Sequence, residues 1–135
     1  MWARATDNRG ITKDSDKVTF SVALIVQVNF QDATSEGVEG YLADTGEVFD
    51  NRGNGYSYGW DADNMAFARN RNNALSPDER YDTFNHMQKE LPAGRLWEIE
   101  LPNGRYNVFV VVGESDNSDS VYDLTAEGAT IVKGT

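Results

Sequence analysis

A stretch rich in aromatic, amide and guanidinium side chains covers residues 53–71. Within it Tyr56, Tyr58 and Trp60 stand at alternate positions, so a strand would place the three rings on one face. Flat aromatic rings suit the C–H faces of a pyranose, while amides, carboxyls and guanidiniums bond sugar hydroxyls. This composition is typical of a carbohydrate-binding surface. Burial of the rings in a core is the alternative, because Tyr and Trp are often buried as well.

Polar side chains follow the aromatic positions. Arg69 and Arg71 would point the same way in an extended segment, and a forked guanidinium can hold two vicinal hydroxyls. The structural alternative is that these arginines form ion pairs with nearby aspartates and staple a long loop. The predicted carbohydrate-binding residues are the aromatic Tyr41, Tyr56, Tyr58 and Trp60 and the polar Asp61, Arg69, Asn70, Arg71 and Asn73. We assign no catalytic residue.

Charge and composition restrict the ligands and partners. The chain has 135 residues, enough for one domain with its own core, and no cysteine for a disulfide or a thiolate metal site. Twelve basic residues against 22 acidic ones give a net charge of -10. That charge repels nucleic acids, anionic membranes and anionic polysaccharides, so we expect a neutral glycan as ligand. No segment is apolar and long enough for a membrane span.

An oxygen-rich stretch at residues 114–123 contains Glu114, Asp116, Asn117, Asp119 and Asp123. It lacks the glycine and the final glutamate of an EF-hand loop. A solvated acidic loop between two strands is the favoured interpretation, and a structural calcium site is the alternative. We therefore predict no cofactor and no metal ligand.

The elements that must position these residues are predicted to be short strands. Residues 18–30 are β-branched and apolar, residues 97–101 and 106–112 flank the turn 102–104 as a hairpin, and residues 123–127 and 129–132 form further strands. Residues 76–90 could form a turn or two of helix, with Ser76 as its cap. Many short strands with turn signals predict an all-β fold, a sandwich of two antiparallel sheets.

A series of short motifs follows along the chain: Val28-Asn29-Phe30, Gly40-Tyr41-Leu42, Asp44-Thr45-Gly46, Tyr58-Gly59-Trp60, residues 69–72, Tyr81-Asp82-Thr83, His86-Met87, residues 97–106, Val110-Val111-Val112-Gly113 and Ala126-Glu127-Gly128. Their order and spacing resemble the malectin-like carbohydrate-binding modules that are appended to microbial polysaccharide-degrading enzymes. The resemblance covers about residues 28–134. It implies a galactose-binding-like jelly-roll sandwich without catalysis, an attached catalytic domain, and secretion as part of a larger protein whose export signal lies outside this chain.

This chain departs from the family pattern at both ends. Residues 1–16 read as a loose lead-in to a single domain spanning residues 1–135, and residues 18–26 precede the point where such modules begin. These residues could take the place of a closing strand that is missing after residue 128. If the sheet stays unfinished, an alternative function is a protein-interaction or assembly module that uses the open sheet edge. A small glycoside hydrolase is a weaker alternative, for which no carboxyl pair stands out.

Overall fold

The computed structural model describes residues 3–16, 23–89, 94–117 and 119–134. Its regular elements are short strands and two 3-10 helices, Met65–Phe67 and Glu79–Tyr81. The predicted all-β class, with at most one or two helical turns, is thereby confirmed. The strands are β1 (Arg4–Thr6), β2 (Thr12–Asp14), β3 (Val28–Phe30), β4 (Leu42–Asp44), β5 (Asp50–Asn51), β6 (Ser57–Trp60), β7 (Ala68–Asn70), β8 (Thr83–Asn85), β9 (Trp97–Ile99), β10 (Asp123–Ala126) and β11 (Ala129–Lys133).

Among the described residues these strands form five small sheets. The central part holds the parallel pair β3–β4, the antiparallel pair β7–β8 and the three-stranded sheet β5–β6–β9. β3 lies beside β8, where Asn29 Nδ2 donates to Thr83 Oγ1 at 3.0 Å. The remaining two sheets are the antiparallel hairpins β1–β2 and β10–β11 at the two ends of the chain.

The aromatic strand β6 forms where the alternating pattern predicted it. Tyr58 is paired with Ile99 and Trp60 with Trp97, so the two tryptophans face each other across β6 and β9. Gly59 between them has a φ of 143°, and a Cβ there would lie 2.7 Å from the carbonyl oxygen of Glu47. Only glycine fits this close approach of two backbones. The bare backbone at Gly59 therefore lets residues 47–49 pack against β6.

The buried centre contains more polar side chains than apolar ones. Among the described residues Tyr58, Trp60 and Ala68 are the buried apolar residues. The buried polar residues are Asn29, Gln31, Asp44, Asn64, Asp82, Thr83 and Asn85. Burying a polar group costs free energy unless the group is hydrogen-bonded, so these side chains require specific partners. Hydrogen-bond geometry therefore determines this core as much as apolar packing does.

Some elements differ from the sequence prediction. The prediction of a hairpin after β9 is wrong, because residues 106–112 form no strand and the chain only bends at residues 103–104. Of the strand predicted at residues 18–26, residues 18–22 lie outside the described residues, and residues 23–26 are not in a strand. The predicted lead-in contains the exposed hairpin β1–β2, in which Arg4 Nε donates to Asp14 Oδ1 at 2.6 Å.

The predicted turn or two of helix within residues 76–90 is confirmed, but the predicted N-cap residue is wrong. The 3-10 helix Glu79–Tyr81 is a single turn, and its N-cap is Asp78 rather than Ser76. The Asp78 carboxyl accepts from the backbone N–H of Arg80 at 3.0 Å. An aspartate here satisfies a backbone donor that the first turn of a helix leaves free.

Candidate functional site

Two of the predicted stacking residues lie in the core. Trp60 is 1% exposed and Tyr58 is 3% exposed, so neither ring presents a face to solvent. The Tyr58 hydroxyl donates to the carbonyl of Ala43 at 2.8 Å, which anchors the ring from its polar end. Tyr56 and Tyr41 are half-buried and retain exposed surface. The alternating rings of Tyr58 and Trp60 therefore form the inward face of β6. For these two residues the alternative interpretation of the sequence, burial in a core, is the correct one.

Trp60 belongs to a group of side chains around one buried carboxyl, here called the indole cluster: Phe30, Asp44, Trp60 and Trp97. Trp60 Nε1 donates to Asp44 Oδ1 at 2.7 Å, and Trp97 Nε1 donates to Asp44 Oδ2 at 2.8 Å. The backbone N–H of Gly46 also donates to Asp44 Oδ1, at 2.9 Å.

Phe30 completes the indole cluster. Its ring meets Trp60 and Trp97 edge to face, with ring centroids 5.8 and 5.3 Å apart. Because Phe30 and Asp44 are paired across β3 and β4, and Trp60 and Trp97 across β6 and β9, the cluster joins two strand pairs. Its role is structural, since Asp44 is only 1% exposed and a ligand has no access to it.

The best candidate for a binding site is an open polar cavity of about 610 Å³, here called the loop pocket. Its wall is formed by residues 34–38, which follow β3, by Asn70 and Asn72 at the end of β7, and by residues 78–80 at the 3-10 helix. Side chains of these residues include hydroxyls, amides, carboxyls and one guanidinium. Of the nine predicted site residues, Asn70 is the one that lines this pocket.

Asn70 ties three parts of the pocket wall together. Its Nδ2 donates to Ser35 Oγ at 2.9 Å and to Glu79 Oε1 at 2.7 Å. Its Oδ1 accepts from the backbone N–H of Asn72 at 2.9 Å. An amide that donates and accepts at once fixes the spacing of the groups around it. Asn70 therefore sets the positions of polar atoms that a ligand in the pocket would meet.

The loop at residues 34–38 is shaped by Asp32, which directly precedes it. Asp32 accepts from the backbone N–H of Thr34 at 2.8 Å and from Ser35 Oγ at 2.7 Å. Hydrogen bonds from Thr34 and then Ser35 lower the pKa of Asp32 to about 2. The carboxyl thus stays ionised and holds the loop at neutral pH.

Arg80 brings the only guanidinium among the residues of the pocket wall. It donates to Asp78 through Nε at 2.8 Å and through Nη2, and these bonds raise the pKa of Arg80 and lower that of Asp78. The Tyr41 hydroxyl, also beside the guanidinium, raises the pKa of Arg80 further. Tyr41, a predicted stacking residue, therefore lies near Arg80, but it is not among the residues that line the loop pocket.

Three more of the predicted polar residues hydrogen-bond to backbone groups of residues that do not line the loop pocket. Arg69 Nη1 donates to the carbonyls of Ala66 and Ala68 at 2.9 and 2.6 Å. Asp61 Oδ1 accepts from the backbone N–H of Leu96 at 3.3 Å. Asn73 Oδ1 accepts from the backbone N–H of Leu75 at 2.9 Å. The bonds of Arg69 and Asn73 are local, whereas that of Asp61 joins residues 35 positions apart. The structure does not gather the three side chains into one cavity.

Arg71 forms an ion pair, as the alternative interpretation of the sequence expects. Its partner is a glutamate rather than one of the nearby aspartates. Its guanidinium bonds the carboxyl of Glu114 and lies 5.1 Å from the centre of the Phe84 ring. Glu114 begins the oxygen-rich stretch that was considered for calcium, so one of its carboxyls already has a cationic partner. Among the described residues no three side chains of His, Asp or Glu are grouped as metal ligands would be.

Sequence reasoning missed Thr34, Ser35, Asp78, Glu79 and Arg80 as pocket residues. Two local signals could have found them. Asp32 stands two and three residues before Thr34 and Ser35, a spacing at which a carboxyl holds a tight loop. Asp78 stands at a helix cap. Neither signal predicts that residues 34–38 and 78–80 lie together. Their proximity depends on the pairing of β3 with β4 and of β7 with β8.

Scans of the chain against protein-family models, curated proteins and solved structures found no match. The malectin-like resemblance therefore stays a prediction that rests on the sequence motifs. No helix within the described residues is long and apolar enough to cross a membrane.

Proposed function

We propose that this chain is a non-catalytic carbohydrate-binding domain with a jelly-roll β-sandwich fold, and that the loop pocket takes a neutral poly- or oligosaccharide. The observation that carries the proposal is the pocket itself, an open cavity of about 610 Å³ with donors and acceptors on every wall. Sugar hydroxyls both donate and accept, so they need such a mixed lining. The malectin-like motifs in the sequence support the same class of ligand.

Three side chains are suited to contact a sugar. Asn70 offers an amide that already bonds Ser35 and Glu79, and a sugar hydroxyl could join this arrangement. Arg80 carries five N–H donors, of which the bonds to Asp78 use two. Tyr41, whose hydroxyl is near Arg80, could offer its half-buried ring to a C–H face of the sugar.

The charge of the chain favours a neutral ligand. The pocket wall contains Glu36, Asp78 and Glu79 against one basic residue, Arg80, which is already paired with Asp78. The net charge of -10 adds a long-range repulsion of anionic chains. Uronic-acid and sulfated polysaccharides are therefore expected to bind more weakly than neutral ones.

We further propose that the domain holds an attached catalytic domain near its polysaccharide outside the cell. Tethering raises the local concentration of the enzyme at its substrate without any chemistry in the binding domain. The loops at the pocket would then determine the choice of sugar, because loops carry binding residues on a scaffold of strands.

The test is a glycan screen followed by calorimetry with matched variants. Asn70→Ala should weaken binding of a neutral glycan about 10- to 100-fold, because each lost hydrogen bond to a ligand costs about 1–3 kcal/mol. Asn103→Ala, in the exposed turn after β9, is the control and should bind as the parent chain does. Equal affinity of the two variants would remove the loop pocket as the site.

The same screen separates binding from hydrolysis. The glycoside-hydrolase alternative requires turnover of a bound glycan that is lost when a single carboxyl is replaced, for example in Glu79→Gln. The proposed function predicts binding without turnover in both the parent chain and Glu79→Gln. No binding to any glycan by a cooperatively folded chain would overturn the proposal.

A further inference from the structure

A run of apolar side chains without a strand partner follows the turn after β9. This segment, residues 106–112, reads Tyr-Asn-Val-Phe-Val-Val-Val and is here called the apolar segment. Phe109 is 90% exposed and Val108 is 68% exposed, and Tyr106 and residues 110–112 are exposed as well. Contiguous exposed apolar surface of this kind marks interaction sites in folded proteins.

The backbone of the apolar segment is also unpartnered. No backbone hydrogen bond joins residues 106–112 to any other described residue. The β-branched and aromatic composition nevertheless has a strong preference for a strand. Among the strands that the structure describes, the preceding strand β9 pairs with β6 alone, so the sheet β5–β6–β9 ends at β9. Both the side chains and the backbone of the segment are therefore available to an added strand.

The exposure pattern indicates how such a strand would bind. Side chains alternate between two faces in a strand, and here both Phe109 and its neighbours Val108 and Val110 are exposed. A partner strand that pairs beside the segment would satisfy its backbone and cover part of each face. A flat docking partner would cover one face and leave the other in water.

Charge determines which partner is suitable. A second copy of this chain also has a net charge of -10, which opposes close association. The flanks of the apolar segment are mainly acidic, with Glu98, Glu100, Asp116 and Asp119 against Arg105, which directly precedes the segment. Glu114 is already paired with Arg71. An extended apolar segment with lysine or arginine beside it would pair with these carboxyls and avoid the repulsion.

We infer that residues 106–112 form the docking site for an extended apolar segment with basic flanks from another protein, which binds by adding a strand. This inference goes beyond the proposed carbohydrate binding and does not depend on it. It gives the domain a second contact, to a protein, on residues separate from those of the loop pocket.

The test uses a short synthetic peptide in which valine alternates with threonine and lysine stands at both ends, and measures its binding to the full chain by fluorescence anisotropy. We expect saturable binding that weakens about tenfold when glutamate replaces lysine in the peptide. Val110→Pro should weaken binding about tenfold or more, because proline removes a backbone donor that an added strand needs. Val121→Pro is the matched control, since Val121 is 69% exposed and outside any strand.

Other outcomes would overturn the inference. Equal binding of the lysine and glutamate peptides would remove the charge argument. Equal weakening by Val110→Pro and Val121→Pro would show that the peptide does not bind at residues 106–112. Concentration-dependent dimers without peptide, abolished by Val110→Pro, would make a second copy the occupant. Slow amide exchange at residues 106–112 in the free monomer would show that this chain covers the segment itself.

Discussion

Two carboxyl groups at the ends of neighbouring strands do different work. Asp44 ends β4, is buried, and takes donors from Trp60 and Trp97, which lie far along the chain. Asp32 follows β3, is half-buried, and takes donors from Thr34 and Ser35, its close neighbours. Long-range donors make Asp44 the centre of a closed core, whereas local donors let Asp32 shape an open loop beside a cavity.

This difference separates the aromatic residues from the candidate site. Of the four rings predicted to stack on a sugar, Tyr58 and Trp60 lie in the core, and Trp60 bonds the buried carboxyl of Asp44. The cavity is lined instead by small hydroxyl, amide and charged side chains. In this protein large aromatic side chains lie in the core, whereas the candidate binding surface is made by polar residues of loops.

The largest effect is expected for Trp60→Ala, which removes the ring at the centre of the indole cluster. Loss of a buried tryptophan costs about 3–5 kcal/mol of unfolding free energy, a large part of the stability of a small domain. Urea titration should show a much lower midpoint, while Trp60→Phe should lose less because a ring remains. An unchanged midpoint together with loss of glycan binding would indicate that Trp60 contacts the ligand instead of stabilising the core.

A smaller effect is expected for Asp44→Asn, which keeps the shape of the side chain. The new amide turns a donor toward one of the two indole N–H groups, so one buried donor loses its acceptor. That loss costs about 1–3 kcal/mol. Asp50→Asn, at an exposed carboxyl on β5, is the control and should unfold as the parent chain does. Equal midpoints for the two variants would contradict the structural role of Asp44.

The smallest effect concerns Asp32 and depends on pH. Its folded pKa of about 2 lies below the ordinary 3.8, so the ionised carboxyl stabilises the folded chain above about pH 4. That contribution is lost as the pH falls through about 2, and solvent screening keeps it below about 1 kcal/mol. The stability difference between the parent chain and Asp32→Asn should therefore shrink from about pH 5 to about pH 2. A difference that stays constant over this range would contradict the depressed pKa.

The sequence predicted the all-β class and several strands correctly for a clear reason. In β6 and in the pair β10–β11 the alternation and the turn residues are local, and the structure follows them. The hairpin after β9 failed because composition alone does not place a second strand. Residues 106–112 are strand-forming residues except for Asn107, but their backbone has no partner among the described residues.

The candidate site was less predictable than the fold. Asn70 was selected for its amide, yet its partners Ser35 and Glu79 come from loops that are distant from one another in sequence. Tyr58 and Trp60 were selected for their rings, but ring chemistry does not reveal which side of a strand is covered. Both questions depend on which strands lie together, and short motifs do not encode that.

Because Trp60 and Trp97 both bond Asp44 in the core, they also determine what intrinsic tryptophan fluorescence can measure in this protein. The sequence contains three tryptophans, and two of them sit in the indole cluster. Their emission should shift strongly to the red when the chain unfolds, because water then replaces a carboxyl and a phenyl ring as their surroundings. A sugar that enters the loop pocket would leave both indoles in place. Intrinsic fluorescence therefore reports whether the core is folded. Detecting a sugar in the loop pocket by fluorescence requires a label attached to the loops.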